Sequence, residues 1–206
     1  WLDGPNGRWL ARLPQEDLCQ ATGTPATLKY ESDGGPGIER IMGLLALSDT
    51  PQADRRTFLL AQLLFWMLRA PDGHAKNFSL SIRPKGAYRL TPLYDVMSAW
   101  PLVGEGPGRL SEHKIRMAMA IRSTNAHWKM REIQRRHWLA LGTRFGVLGD
   151  DDRHIEAILD EIIDRTPGVI AQVEAGLPTG FPDHVASPVL RGLERAARQL
   201  AMRTDG

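Results

Sequence analysis

Cysteine is almost missing from this chain. Of 206 residues only Cys19 carries a thiol, which excludes a disulfide scaffold and fits a reducing compartment such as a cytoplasm. Cys19 itself reads as a buried or half-buried thiol rather than as a nucleophile. Long apolar runs are missing as well. The most apolar stretch, Phe58 to Leu68, is interrupted by Gln62 and falls short of the roughly 20 residues a membrane span needs. It reads as a helix buried on most of its surface, and no membrane partner is expected. Charge of one sign is not in excess, since 26 Lys+Arg face 24 Asp+Glu, so composition alone points to no polyanion. The N-terminus opens Trp-Leu-Asp-Gly-Pro without Met and without a cationic-then-apolar leader, an opening that suits a fragment or a processed product. His113, His127, His137, His154 and His184 lack the paired spacing with Cys or acids that a zinc site needs.

What is present is ordinary globular composition, 42% hydrophobic and 24% charged, enough to bury a core. Asp3-Gly4-Pro5-Asn6-Gly7 is a turn cluster, and Arg8 to Leu13 suits a strand. Pro14 to Cys19, with Pro first and acids early, predicts a short helix. Asp33-Gly34-Gly35-Pro36-Gly37 is a tight turn rather than an anion-binding loop, feeding a helix from Ile38 to Leu47. The strongest helix runs from Ala53 to Ala70 and is closed by Pro71. Phe78, Leu80 and Ile82 then alternate with serines, Arg83-Pro84-Lys85-Gly86 turns, and Tyr88 and Leu90 alternate with Ala87 and Arg89, the pattern of a β-hairpin. Three further helices are expected, from Trp128 to Phe145, Asp151 to Arg165 and Val185 to Met202. The fold class is mainly α: one helical domain, 1–206, with a small β-hairpin inserted in its middle.

The chemistry-bearing stretch is Asp72-Gly73-His74-Ala75-Lys76-Asn77. It lies between a buried helix and a strand, so both of its ends are anchored. Asp72 and Asn77 stand five apart, the spacing of a kinase catalytic loop, in which Asp accepts the substrate hydroxyl proton and Asn holds magnesium. Phosphoryl transfer also needs a second metal-binding carboxylate, and Asp95 follows the hairpin. Magnesium, which keeps waters and phosphate oxygens among its ligands, suits so sparse a set. Gln15, Glu16 and Asp17 read as helix capping, with Gln15 bordering a nucleotide cleft as the sharper alternative.

Four strings, Leu13 to Gln20, Lys29 to Gly37, Asp72 to Phe78 and Tyr88 to Asp95, together resemble the HipA family of serine/threonine-kinase toxins from bacterial toxin–antitoxin pairs. The resemblance covers nearly the whole chain. It implies the helical C-lobe of a kinase-like fold, with ATP and Mg2+ as cofactors. It makes Asp72 the catalytic base, lines the nucleotide site with His74, Ala75, Lys76 and Asn77, and brings Tyr94 and Asp95 to nucleotide and metal. It also implies a HipB-like helix-turn-helix antitoxin and operator DNA as partners, and glutamyl-tRNA synthetase or a related synthetase as substrate. The N-lobe of such kinases is missing here. No Gly-rich loop precedes Gln15, Lys29 and Lys76 lie on the wrong side of it, and the regulatory serine of that loop is absent. The 206 residues alone are expected to be weakly active or inactive unless a separate N-lobe subunit supplies those parts.

Residues 109–145 hold nine Lys+Arg against two Asp+Glu, a local excess that the whole-chain balance conceals. A solvated helix face is the plainer reading. Phosphate-backbone contacts, through Arg135, Arg136 and Arg144, are the alternative. Trp128 and Trp138 read as core rather than as base-stacking platforms. Two other functions compete with the kinase: a binding module that holds antitoxin and DNA without chemistry, and a metal-dependent hydrolase using Asp72, His74 and Asp95.

Overall fold

The computed structural model describes residues 2–9, 12–149 and 151–202. A two-stranded ribbon, β1 (Leu2–Gly4) and β2 (Gly7–Trp9), pairs antiparallel across Pro5-Asn6. The strand expected from Arg8 thus starts a residue earlier, and residues 10 and 11 lie outside the described part. Gln15–Asp17 then forms β3, and Leu18–Ala21 a one-turn helix, α1. This corrects the expectation of a helix opening at Pro14: the segment stays extended because it joins a sheet. The helix begins only where Asp17 can cap it. The Asp17 carboxylate accepts from Gln20 N–H at 2.9 Å, and the Gln20 side-chain oxygen accepts from Asp17 N–H at 3.0 Å, a reciprocal capping box.

The Asp33–Gly37 segment is a structural turn, as read. Gly34 sits at φ +96°, and a Cβ on Gly35 would lie 2.1 Å from the Leu28 carbonyl oxygen. The turn delivers α2 (Ile38–Leu45) and then α3 (Pro51–Met67), which opens on Pro51. Helix α3 buries Phe58, Leu59, Phe65 and Trp66 almost completely, each such side chain contributing about 1.5–3 kcal/mol. The hairpin follows as read, with β4 (Ser79–Ile82) and β5 (Tyr88–Leu90). It completes a three-stranded antiparallel sheet in the order β3-β4-β5. The sheet is locked to α3 in two ways. Buried Asp54 accepts from Leu90 N–H at 3.1 Å, and Phe78 meets Phe58 and Phe65 edge-on at 4.8 and 5.9 Å.

Beyond Pro101 the structure departs from the sequence reading. Arg116–Arg122 and Ala126–Lys129 form an antiparallel pair, β6 and β7, so Trp128 lies in a strand. The helix expected from Trp128 is only α4 (Arg135–Arg144). Conversely α5 (Ile155–Gly176) runs past Arg165 and through Pro167. There the Thr166 hydroxyl donates to the Ile162 carbonyl at 2.6 Å one turn back. The last helix, α6 (Asp183–Ala201), packs on α5 and on the turn Trp100–Leu102. Gly192 makes that approach feasible, since a Cβ there would fall 2.4 Å from the Trp100 ring. About half the chain is helical. Among the described residues no helix is long and apolar enough to cross a membrane.

Candidate active site

The loop Asp72–Asn77 hangs from the end of α3, and its first support is Arg69. This residue takes φ +52°, which breaks the helix. Its guanidinium is buried between the Trp66 and Trp100 rings, 5.2 and 5.0 Å from their centroids. It donates to the Trp66 carbonyl at 2.9 Å and the Gln199 side-chain oxygen at 3.1 Å, and lies 3.7 Å from Glu112. Burial pulls its pKa down to about 10, so it remains cationic at neutral pH. The next support is Gly73, whose α-carbon abuts the Phe65 ring; a Cβ would stand 2.7 Å from it. Short backbone bonds then fold the loop: His74 N–H to Asp72 O at 2.9 Å and Asn77 N–H to His74 O at 3.0 Å.

On this scaffold the Asp72 side chain is half exposed, at 49%. The Tyr30 hydroxyl donates to Asp72 Oδ1. Burial, and then that bond, push the Tyr30 pKa up to about 12, so the hydroxyl stays protonated as a donor. His74 is buried, with Nε2 3.5 Å from Asp72 Oδ1, and the Tyr30 ring stands edge-on to it at 5.1 Å. Burial lowers the His74 pKa, against the pull of Asp72, which favours the neutral imidazole.

Asn77 and Asp95 meet at the two ends of the hairpin. Asn77 Nδ2 donates to Asp95 Oδ2 at 2.7 Å. Asp95 adopts φ +56°, a left-handed conformation that Asp tolerates better than most residues. Asn77 Oδ1 and His74 Nδ1 are buried without a well-formed hydrogen bond among the described residues, and the two side chains interact with one another. The Tyr94 hydroxyl donates to the Lys76 carbonyl at 2.8 Å and lies 2.6 Å from Ser79 Oγ. Lys76 Nζ is 3.9 Å from Asp17. Tyr94 and Gln15 line one cavity of about 320 Å³, together with Thr91 and Pro92. Asp72 and Tyr30 line another, of about 600 Å³.

Three expected contacts change character. Ala75 is fully buried and its N–H is directed at the Lys29 carbonyl at 3.4 Å, so it packs beneath the loop and offers a ligand no surface. Arg135 is not a surface cation. It is 4% exposed, with its guanidinium 2.7 Å from Asp160 and 3.8 Å from Glu156, which leaves nothing for DNA. Arg144 is ion-paired with Glu39; Arg136 is exposed beside His137. Trp138 is core, edge-on to Trp66 at 6.0 Å, whereas Trp128 is only half-buried under Arg116. Cys19 is buried, as read. A hydrolase centre at Asp72, His74 and Asp95 finds no support: no group of three or more His, Cys, Asp or Glu among the described residues could hold a metal.

Tyr30, Glu31 and Arg69 were invisible as site residues in the sequence. Glu31 ties the Tyr30 segment to β6, accepting from Ala120 N–H at 2.7 Å and from Arg122 at 2.5 Å. The signal for Arg69 lay in a cation ending an apolar helix just ahead of Pro71 and Asp72, a position where a solvated side chain would have no role.

The family model described as HipA-like C-terminal domain matches residues 3–170. The chain is 39% identical over 88 residues to a Sinorhizobium fredii protein named "Putative kinase Y4mE", an alignment covering 42% of this chain and 21% of that one. Its fold is similar to a chain of the Shewanella oneidensis MR-1 toxin–antitoxin complex of HipA, HipB and operator DNA, with TM-score 0.76 and 21% identity over 97% of this chain and 46% of that one. The chain therefore spans less than half the length of either relative. It belongs to the HipA-like C-terminal domain family.

Proposed function

We propose that this chain is the magnesium- and acceptor-binding half, the C-lobe, of a protein serine/threonine kinase of the toxin–antitoxin type. The observation that carries the reading is the Asn77–Asp95 pair, in which the buried Asn77 Oδ1 makes no well-formed hydrogen bond. A buried amide oxygen without a donor is costly, and a hard cation shared with Asp95 would satisfy it. Asn77 and Asp95 fit Mg2+ in chemistry and would hold it. Bound there with ATP, magnesium supplies charge neutralisation on the phosphates. Asp72 receives the proton of the acceptor serine hydroxyl as that oxygen takes the phosphoryl group. Tyr30 occupies Asp72 Oδ1 and so orients the other carboxylate oxygen toward the acceptor. Neutral His74 keeps a second positive charge away from Asp72, and Tyr94 with Gln15 borders the nucleotide.

The phosphate cradle and its lysine fall to an N-lobe, in the same polypeptide or in a separate subunit. A HipB-like antitoxin and operator DNA are the expected partners, since the similar fold comes from such a complex; glutamyl-tRNA synthetase or a related synthetase is the expected substrate. The test uses the N-lobe-bearing protein. ATP binding should require magnesium, Asp95→Asn should abolish magnesium-dependent ATP binding together with transfer to serine, and Asp72→Asn should abolish transfer while leaving ATP bound. Retained transfer in both variants would overturn the reading.

A further inference from the structure

The cavity of about 600 Å³ beside Asp72 is a groove with a chemical bias. Tyr30 and Asp72 line it together with Arg109, Lys114 and Arg116 and with apolar residues that include Trp128. Among the described residues Asp72 is the only acid lining it. The nearby carboxylates are committed elsewhere: Glu112 lies against Arg69 and Arg195, at 3.7 and 2.9 Å, and Glu31 binds Arg122 at 2.5 Å. Two of the cations are held in place. Arg109 donates to the Pro101 carbonyl at 2.6 Å, and the Arg116 guanidinium lies 5.5 Å over the Trp128 ring. Such fixed guanidiniums keep donors to spare for a carboxylate. The volume is in the range of ligand-binding clefts.

We infer that this groove binds the acceptor polypeptide and selects a serine or threonine flanked within a few residues by Asp or Glu. The inference rests on the kinase reading above and adds a substrate class to it. The acceptor hydroxyl sits at Asp72, its acidic neighbours face Arg109, Lys114 and Arg116, and an apolar residue covers Trp128. Like-charge repulsion in the same groove disfavours acceptors flanked by Lys or Arg.

The experiment uses the N-lobe-bearing protein, ATP and magnesium, with serine peptides whose flanking positions are Glu, Ala or Lys. Wild type should phosphorylate the Glu-flanked peptide with kcat/KM at least tenfold above the Lys-flanked one, mostly through KM. The double variant Lys114→Glu, Arg116→Glu should invert that order, with ATP still bound as a check on folding. Where the double variant fails to fold, Lys114→Ala carries the test, and a threefold or greater loss of the Glu preference is expected. Direct binding of the Glu-flanked peptide, by fluorescence anisotropy, should weaken as salt rises from 50 to 300 mM. Equal use of all three peptides, preference for Lys, or occupation of the groove by single-stranded nucleic acid in place of peptide overturns the groove assignment while an Asp72-dependent kinase stands. Absence of any transfer with ATP and magnesium bound overturns both.

Discussion

Asn77 Nδ2 reaches Asp95 Oδ2 at 2.7 Å, although eighteen positions separate the two residues. The hairpin makes this contact: β4 leaves Asn77 and β5 returns just short of Asp95, so a polar group ahead of the ribbon faces one behind it. Asn77→Ala removes one of the two proposed magnesium ligands and leaves Asp95 without its amide donor. The magnesium concentration for half-maximal ATP binding should rise at least about tenfold, or about 1.4 kcal/mol. Calorimetric titration of the N-lobe-bearing protein measures it, and an unchanged magnesium requirement would show that the pair is a structural clasp.

The Tyr30 hydroxyl fixes one oxygen of Asp72. Tyr30→Phe keeps the ring against His74 and deletes only the donor. kcat should fall about tenfold, about 1.4 kcal/mol of transition-state stabilisation, with the KM for ATP within about twofold of wild type. Steady-state kinetics distinguishes this from a merely structural loss, which would raise the KM for ATP and lower thermal stability together.

Much of this site was legible in the sequence because its parts are local. The alternation from Phe78 to Leu90 spelled a hairpin, and the Asp72–Asn77 spacing with Asp95 beyond it pointed to two residues, Asn77 and Asp95, that the hairpin does bring together. Where local pattern and tertiary role part, the reading failed. In β6 the residues from Met117 to Ile121 are all buried, so the strand shows no alternation, and its Met and Ala content mimics a helix. Gln15–Asp17 carries helix-start residues but takes its conformation from pairing with β4. Arg135 sits in a basic run, yet its neutralising acids, Glu156 and Asp160, come from α5. Tyr30 is forty-two positions from Asp72, and no single-sequence period links residues that far apart.

Gly73 links the Asp72–Asn77 loop to the core. A Cβ there would stand 2.7 Å from the Phe65 ring, which is itself wedged on Phe78 at 5.9 Å. Gly73→Ala should therefore cost about 1–3 kcal/mol through overpacking, seen as a lower midpoint in chemical denaturation. Adding Phe65→Leu, which withdraws the ring edge, should recover part of the loss relative to Phe65→Leu alone. Additive losses would locate the cost in the backbone rather than in the clash.

His137 makes the fold sensitive to acid. Its Nδ1 accepts from Gln134 N–H at 3.1 Å, closing the start of α4, and its ring stacks on His127 at 3.7 Å. Burial, then His127 and Arg136, lower its pKa from 6.5 to about 4. Because the unfolded chain takes up this proton first, the stabilisation is complete above the ordinary histidine range and is lost as pH falls through it toward 4. By pH 5 the loss from this residue is about 2 kcal/mol. Buried His74, also lowered, adds in the same direction. His137→Gln retains a side-chain acceptor for the helix start and cannot titrate. Between pH 7.5 and 5 its unfolding free energy should therefore drop about 2 kcal/mol less than that of wild type, leaving the part due to His74. Urea denaturation at both pH values decides this, and an equal drop in the two proteins would assign the acid sensitivity to groups other than His137.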